Sequence, residues 1–301
     1  MSPAHHRPLR RHAARQTIAG TTPPTAPQDP PTAPQEKQQM RENQVRRLVR
    51  AGEPALNAWV SSGSPYAAEV LSHAGYDAVT IDLQHGMFGV DGAIALLTAV
   101  SAGPAVPMVR CTRLDPAEIG KLLDAGAYGL ICPSIDTAEQ CAALVAACRY
   151  PPQGQRSYGP ARGLLYGGPD YVAAADDTVQ VWAMVESRTA LENLESILAV
   201  PGLDGVYVGP NDLALSLGVE PGTVPVAPEV EDALARVLRR ARAAGVAAGA
   251  YCADAAMARR LADDGFHLVT PGNDMVLLRE GAARRLAEIR GRQASGVGGG
   301  Y

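Results

Sequence analysis

The chain has 301 residues, with 27 Lys and Arg against 31 Asp and Glu, so its net charge is −4, and 47% of its residues are hydrophobic. This composition is typical of a soluble globular protein and excludes a disordered chain, a collagen and a small disulfide scaffold. No apolar run approaches the ~20 residues that a transmembrane helix needs, so no membrane partner is expected.

The charge is unevenly distributed along the chain. Residues 1–50 hold nine basic and three acidic residues, a balance of +6, so the remaining residues carry −10. An acidic body argues against nucleic acid as a partner. Five cysteines without a CxxC pair predict reduced, buried thiols and a cytoplasmic location.

The chain begins and ends in segments without apolar periodicity. Residues 1–45 are rich in Pro and Arg and are predicted to be a disordered extension, and residues 293–301 a flexible Gly-rich tail. Residues 46–292 are predicted to form one domain.

Within this domain, short apolar runs alternate with helical patterns. The eight predicted strands are 56–60, 77–82, 105–110, 128–132, 179–185, 204–208, 246–250 and 266–270. Helical patterns are clearest at 66–74, 115–125, 137–148, 229–244 and 254–263. Eight such units predict an α/β fold of the (β/α)8 or TIM-barrel type. An open doubly wound sheet is less favoured, because no glycine-rich phosphate loop follows the first strand.

Polar residues lie where the predicted strands end, which is where a barrel carries its chemistry. Trp59 ends the first strand, Asp82 the second with His85 three residues later, and Arg110 the third. Glu186 follows the fifth strand, and Asp212 follows the sixth.

Glu186 and Asp212 are 26 residues apart, about one strand–helix unit, so we expect them on neighbouring strands. Two carboxylates with open positions suit Mg²⁺ or Mn²⁺. The alternative is that each acid pairs with an arginine or caps a helix. Asp212 also lies in a Gly-Pro-Asn-Asp segment, which is good turn chemistry.

His85 and Arg110 are the candidate catalytic groups on the other side of this rim. Asp82 can orient the His85 imidazole and raise its basicity. The alternative is a turn histidine that caps the next helix. Arg110 can neutralise an oxyanion or bridge Asp82 structurally, and these two roles are compatible.

The scarcity of lysine restricts the possible chemistry. The only lysine after residue 37 is Lys121, which lies in the middle of a predicted helix. A Schiff-base enzyme needs a lysine at a strand end, so imine catalysis is not expected. Carbanion chemistry would then need a metal as electron sink.

From about Gly52 to Arg290 the chain resembles the HpcH/HpaI family of metal-dependent pyruvate aldolases. The stretches that carry the resemblance are AGYDAVTIDLQHG (74–86), VPMVR (106–110), KLLDAGAYGLICP (121–133), ACRYPPQGQRSYGPAR (147–162), VESRTALENL (185–194) and VPGLDGVYVGPNDLALSLG (200–218).

The resemblance implies a class II aldolase, a carbon–carbon lyase that interconverts a 4-hydroxy-2-oxo acid with pyruvate and an aldehyde. It implies Glu186 and Asp212 as ligands of Mg²⁺, Mn²⁺ or Co²⁺, His85 as the catalytic histidine with Asp82 in support, and Arg110 beside the enolate oxygen. The segment Gly209, Pro210, Asn211 and Asp212 matches the cradle for the substrate carboxylate, and Trp59 matches a tryptophan near the site. A trimer-based homohexamer is also implied.

The chain departs from the family pattern at two positions. Gln84 stands where many members have Glu before the catalytic histidine. Met184 stands where many have a Gln that contacts the pyruvate, and Met cannot donate that hydrogen bond. An oxaloacetate decarboxylase and a lyase of acyl-CoA esters stay open as alternatives within the superfamily.

Overall fold

The computed structural model describes residues 40–291. Its eight strands are β1 (Ala55–Val60), β2 (Ala78–Asp82), β3 (Val106–Arg110), β4 (Gly129–Cys132), β5 (Gln180–Val185), β6 (Gly205–Val208), β7 (Ala247–Cys252) and β8 (Leu268–Pro271). Consecutive strands pair in parallel, and β8 pairs with β1, so the sheet closes into a barrel. The predicted fold is confirmed, and every predicted strand lies within two residues of an observed one.

Helices surround this barrel. They are α1 (Gln44–Ala51), α2 (Pro65–Ser72), α3 (Val90–Val100), α4 (Pro116–Asp124), α5 (Ala138–Cys148), α6 (Ala161–Gly167), α7 (Tyr171–Thr178), α8 (Arg188–Glu192), α9 (Leu194–Leu198), α10 (Pro210–Leu217), α11 (Pro228–Ala244), α12 (Ala255–Asp264) and α13 (Asp274–Ile289). Local signals explain their ends: the Asp115 carboxylate caps the first turn of α4, and Gly245 ends α11 in the left-handed conformation at φ +70°. Among the described residues, no helix combines the length and apolar character needed to cross a membrane.

Alternation along the strands divides the core into two parts. Side chains such as Val79 and Ile81 point outward and pack under the helices. Side chains such as Met108, Trp182 and Tyr207 fill the barrel interior. Because this alternation continues to the strand ends, it turns Trp59, Asp82, Arg110, Met184 and Tyr251 inward at the carboxyl end of the barrel.

Helix α1 lies against the opposite, amino-terminal end of the barrel. Val45 and Leu48 pack with the interior side chains. The Asn43 amide donates to the carbonyl oxygens of Tyr128 at 3.0 Å and Thr178 at 2.8 Å, and its oxygen caps α1. Residues 40–45 therefore contact the barrel, although they precede the predicted domain boundary at residue 46. The predicted extension before residue 40 and the predicted tail 293–301 lie outside the described residues.

The Gly/Pro/Arg-rich connection between β4 and β5 contains α6 and α7, which periodicity did not predict. Its Arg156 side chain is buried and donates to the Asp124 carboxylate at 2.8 Å and the Tyr171 hydroxyl at 3.1 Å. Arg162 donates to the carbonyl oxygen of Ala125 at 2.7 Å. These two arginines attach the connection to the end of α4.

Candidate active site

A cleft opens at the carboxyl end of the barrel. It gathers seven of the predicted site residues: Trp59, Arg110, Met184, Gly209, Pro210, Asn211 and Asp212. Two tyrosines that the sequence analysis did not select, Tyr207 and Tyr251, complete the lining. Of the other predicted residues, Asp82 binds Arg110 and Glu186 lies beside Gly209, whereas His85 is on the turn that follows Asp82.

Asp82 and Arg110 form a buried, two-pronged ion pair. They face each other directly in the β2–β3 register. Arg110 Nε donates to Asp82 Oδ1 at 2.8 Å and Nη2 donates to Oδ2 at 2.6 Å. Burial acts to raise the pKa of the Asp82 carboxyl, but the hydrogen bonds and charge of Arg110 outweigh it and hold that pKa below its usual value.

Trp59 supports the same pair from β1. Its indole Nε1 donates to Asp82 Oδ2 at 3.1 Å, and the Arg110 guanidinium lies 4.9 Å from the centre of its ring. Tyr207 stacks on the Trp59 ring at 5.8 Å, and Tyr251 meets it edge-on at 6.0 Å. These contacts fix the Arg110 side chain in one orientation at the floor of the cleft.

His85 is exposed on the turn that follows β2. Asp82 Oδ1 accepts hydrogen bonds from the backbone N–H groups of Gln84 at 3.0 Å and His85 at 3.3 Å. Gly86 is required in this turn, since a Cβ there would lie 2.1 Å from the Asp82 carbonyl oxygen. One carboxylate thus positions both Arg110 and the backbone that carries His85. The imidazole's catalytic role stays a prediction.

Glu186 is buried, and its two carboxylate oxygens differ in their surroundings. Oε1 accepts a hydrogen bond from the backbone N–H of Ser134 at 2.7 Å. Oε2 is buried and has no hydrogen-bond partner among residues 40–291. Burial raises the pKa of the Glu186 carboxyl, the Ser134 N–H opposes that shift, and the negative charge of Asp212 adds to it.

The donor set at this position fits a divalent cation. A buried carboxylate oxygen without a partner, close to a second carboxylate, is costly unless a positive charge joins it. Gly209 keeps the space beside it open, because a Cβ there would lie 2.8 Å from Glu186 Oε2. Within residues 40–291 no cluster of three or more His, Cys, Asp or Glu side chains could hold a metal, so two carboxylates are what the chain offers here.

Ser134 is a further residue of the site that the sequence analysis missed. It follows β4 with φ +56°, the only positive φ of a non-glycine residue in the described part of the chain. Such backbone strain is often found at functional sites. Here the strained conformation turns the Ser134 N–H toward Glu186 Oε1. No signal in the sequence marks this position.

The start of α10 lies beside the two carboxylates. Gly209 is its N-cap residue, provides no side-chain cap, and is followed by Pro210 at the first helical position. The first N–H groups of a helix attract anions, which is the chemistry that the predicted carboxylate cradle needs. Asp212 is exposed in this first turn.

Met184 lies in the buried part of the cleft. Its Sδ is 3.9 Å from Arg110 Nη1. A thioether is at most a weak acceptor, so Met184 presents a soft, apolar surface where an amide would offer a donor. The missed Tyr251 was detectable, since Ala247 and Gly249 point inward and Tyr251 is the next inward position of β7.

Comparison with known proteins places these features in context. The model of the HpcH/HpaI aldolase/citrate lyase family matches residues 56–281. The hydroxypyruvate/pyruvate aldolase of Rhizorhabdus wittichii is 42% identical over 248 residues, which cover 82% of this chain and 99% of that protein. The 4-hydroxy-2-oxo-heptane-1,7-dioate aldolase of Salmonella paratyphi B is 38% identical over 263 residues, covering 85% and 99%.

A solved structure agrees with these sequence relatives. An HpcH/HpaI aldolase/citrate lyase family protein from Burkholderia cenocepacia is 36% identical and superposes with a TM-score of 0.76. The match covers 82% of this chain and 99% of the other.

Proposed function

Because the chain belongs to the HpcH/HpaI aldolase/citrate lyase family, we propose that it is a divalent-metal-dependent aldolase that cleaves or forms 4-hydroxy-2-oxo acids. Family membership confirms the predicted family and the predicted enzyme class, a carbon–carbon lyase. One observation carries the proposal: Glu186 Oε2 is buried beside Asp212 and has no hydrogen-bond partner in the described part of the chain.

Glu186 and Asp212 would hold the metal, and Mg²⁺, Mn²⁺ or Co²⁺ would suit their oxygen donors. When bound, the cation supplies positive charge to the oxygens of the 2-oxo acid, which lowers the energy of the enolate. The backbone N–H groups at the start of α10 bind the substrate carboxylate, so the reacting carbon is fixed within the cleft.

The remaining chemistry belongs to the chain's own side chains. In cleavage, His85 accepts the proton of the C4 hydroxyl, the C3–C4 bond breaks, and the electron pair moves to C3 and the 2-oxo oxygen. Arg110 donates hydrogen bonds to that oxygen as its negative charge develops. Protonation of C3 then gives pyruvate, and the aldehyde leaves.

Met184 bears on which 2-oxo acid forms the enolate. Without the amide donor of many family members, selection between pyruvate and hydroxypyruvate depends on the carboxylate cradle and Arg110. The relative from Rhizorhabdus wittichii is named for both donors. We therefore propose that this chain accepts both.

We also propose that the protein is a cytoplasmic homo-oligomer built on trimers. The five cysteines are all buried and free, which suits a reducing compartment. Large apolar side chains are exposed along α13, including Leu278 and Ile289, and such patches often mark interfaces.

Proton exchange of pyruvate in D2O tests the central proposal without knowledge of the aldehyde. We expect the methyl proton signal to disappear with Mg²⁺ or Mn²⁺ present and to persist after chelation. Glu186→Gln should abolish exchange, and calorimetry should show that it no longer binds Mn²⁺. The matched control is Glu192→Gln, which changes an exposed glutamate at the end of α8. It should leave both proton exchange and Mn²⁺ binding unchanged. Metal-independent exchange, or full Mn²⁺ binding by Glu186→Gln, would contradict the proposal.

A further inference from the structure

The turn between β4 and α5, residues 133–136, is attached at two points to the segment that carries Glu186. The first contact is the hydrogen bond from the Ser134 N–H to Glu186 Oε1 at 2.7 Å. The second lies two residues further along the turn, where the Ser187 hydroxyl donates to Asp136 Oδ1. Because Ser187 directly follows Glu186, this second contact fixes the backbone from which the Glu186 side chain extends.

Helix α8 is held by the same turn at both of its ends. Ser187 is the N-cap residue of α8, and its hydroxyl oxygen accepts from the Ala190 N–H at 2.9 Å. Just past the other end, the Asn193 amide donates to the Asp136 carbonyl oxygen at 2.8 Å. Neither contact is needed to close the barrel, since β4 and β5 already pair directly along their length.

These contacts matter for the proposed metal site because Glu186 offers only one oxygen to a cation. The Ser134 N–H holds the other oxygen, Oε1, but the backbone of Glu186 could still move together with Ser187 and α8. A ligand that must be ordered when the cation binds loses conformational entropy at that moment, whereas a ligand ordered beforehand does not. The hydrogen bond between Asp136 and Ser187 removes this freedom in advance.

We propose that Asp136 is a positioning residue of the metal site. Its carboxylate holds Ser187, and through Ser187 it holds the backbone of Glu186 so that Oε2 is available to the cation. Asp136 is not a third ligand, since no group of three His, Cys, Asp or Glu side chains within residues 40–291 could hold a metal. The inference rests on the proposed metal-dependent function.

Calorimetric titration of the full chain with Mn²⁺, without substrate, tests this inference. Asp136→Ala and Ser187→Ala each remove one side of the hydrogen bond, and we expect each to weaken Mn²⁺ binding by about tenfold. The double variant should also lose about tenfold, not about a hundredfold, because both substitutions break the same bond. Asp136→Asn keeps an oxygen that can accept from the Ser187 hydroxyl and should stay within about threefold of wild type.

The matched control is Asp115→Ala, in the corresponding turn between β3 and α4. Asp115 is half-buried like Asp136, so the substitution removes the same charge from a similar environment. Its carboxylate accepts from the N–H groups of Ala117 and Glu118, which belong to α4 itself. Urea unfolding should show a loss of stability for Asp115→Ala, whereas its Mn²⁺ affinity should stay within about twofold of wild type.

Three results would overturn the inference, each in a variant that circular dichroism shows to be folded. They are wild-type affinity in Asp136→Ala, additive losses in the double variant, and an Asp136→Asn that binds as weakly as Asp136→Ala. The last result would mean that the charge matters and the hydrogen bond does not. Wild type that binds no Mn²⁺ contradicts the proposed metal site and this inference with it. Wild type that binds Mn²⁺ while Asp136→Ala is unchanged contradicts only the role of Asp136.

Discussion

The Asp82 carboxylate connects two neighbouring strands and a turn. Among the site residues, replacement of Asp82 should therefore lower the free energy of unfolding the most. Asp82→Asn keeps the shape but cannot accept both guanidinium hydrogen bonds. Breaking one side of a buried ion pair costs about 3–5 kcal/mol of unfolding free energy. Urea unfolding at pH 7 measures this loss. A cost below about 1 kcal/mol, typical of an exposed pair, would contradict the buried pairing.

The same variant gives a pH dependence with a defined sign. The pKa of Asp82 is lowered in the folded state, while an unfolded Asp has a pKa of about 3.9. Its stabilising contribution is therefore fully present well above pH 3.9 and is lost as the pH falls through the lower folded value. The stability difference between wild type and Asp82→Asn should be constant from pH 6 to 8 and shrink in acid.

Ser134 acts through its backbone, because its conformation positions the N–H that donates to Glu186 Oε1. Ser134→Pro removes this N–H and restricts φ to about −65°, whereas Ser134→Gly keeps the N–H and adopts positive φ freely. Both variants lose the Ser134 hydroxyl, which lies 3.4 Å from Glu186 Oε1, so their comparison isolates the N–H. Partners of metal ligands typically contribute about 10–100-fold to metal affinity. We expect a Mn²⁺ affinity loss of this size by calorimetry for Ser134→Pro and near wild-type affinity for Ser134→Gly. Equal affinities in the two folded variants would show that this N–H does not position Glu186.

At the scale of the element, α1 stabilises the barrel without taking part in the site. Asn43→Ala removes the cap of α1 and leaves the carbonyl oxygens of Tyr128 and Thr178 without this donor, so we expect a loss of at least about 2 kcal/mol. Arg47→Ala, in the same helix but half exposed at 51%, is the control and should change stability by less than about 0.5 kcal/mol. Urea unfolding measures both. A similar small effect for both variants would mean that α1 is not part of the cooperative barrel.

The elements also show why sequence patterns predicted some features and not others. Apolar runs located all eight strands. Asp82, Arg110 and Glu186 each end or directly follow one of these strands, so they were expected near one another at the carboxyl end of the barrel. Helix α1 was missed because three of its eight residues are Arg, which hides the two apolar positions that contact the barrel. Ser134 was missed because its role depends on a backbone angle. Tyr251 was missed because the predicted seventh strand ended at residue 250, two residues before the observed end of β7.

At the scale of the whole molecule, the barrel separates stability from chemistry. The helix α1 and its polar contacts lie at the amino-terminal end, and the cleft and the two carboxylates lie at the carboxyl end, as is usual for this fold. Substitutions at the two ends should therefore differ in kind. Asn43→Ala should lower unfolding free energy at unchanged kcat, whereas Glu186→Gln should remove metal-dependent exchange from a folded protein.

Helix α13 carries the evidence for assembly. Met275, Leu278, Leu286 and Ile289 are all exposed, and their spacing of three, eight and three residues puts them on one face of the helix. A chain that exposes such a stripe tends to bury it against another surface. We expect light scattering to give wild type a mass several times that of one chain, and Leu278→Glu with Ile289→Glu to shift it to smaller species. Arg284→Glu, on the opposite face of α13, is the control and should leave the mass unchanged. A wild type with the mass of a single chain would contradict the proposed oligomer while leaving the site and its chemistry untouched.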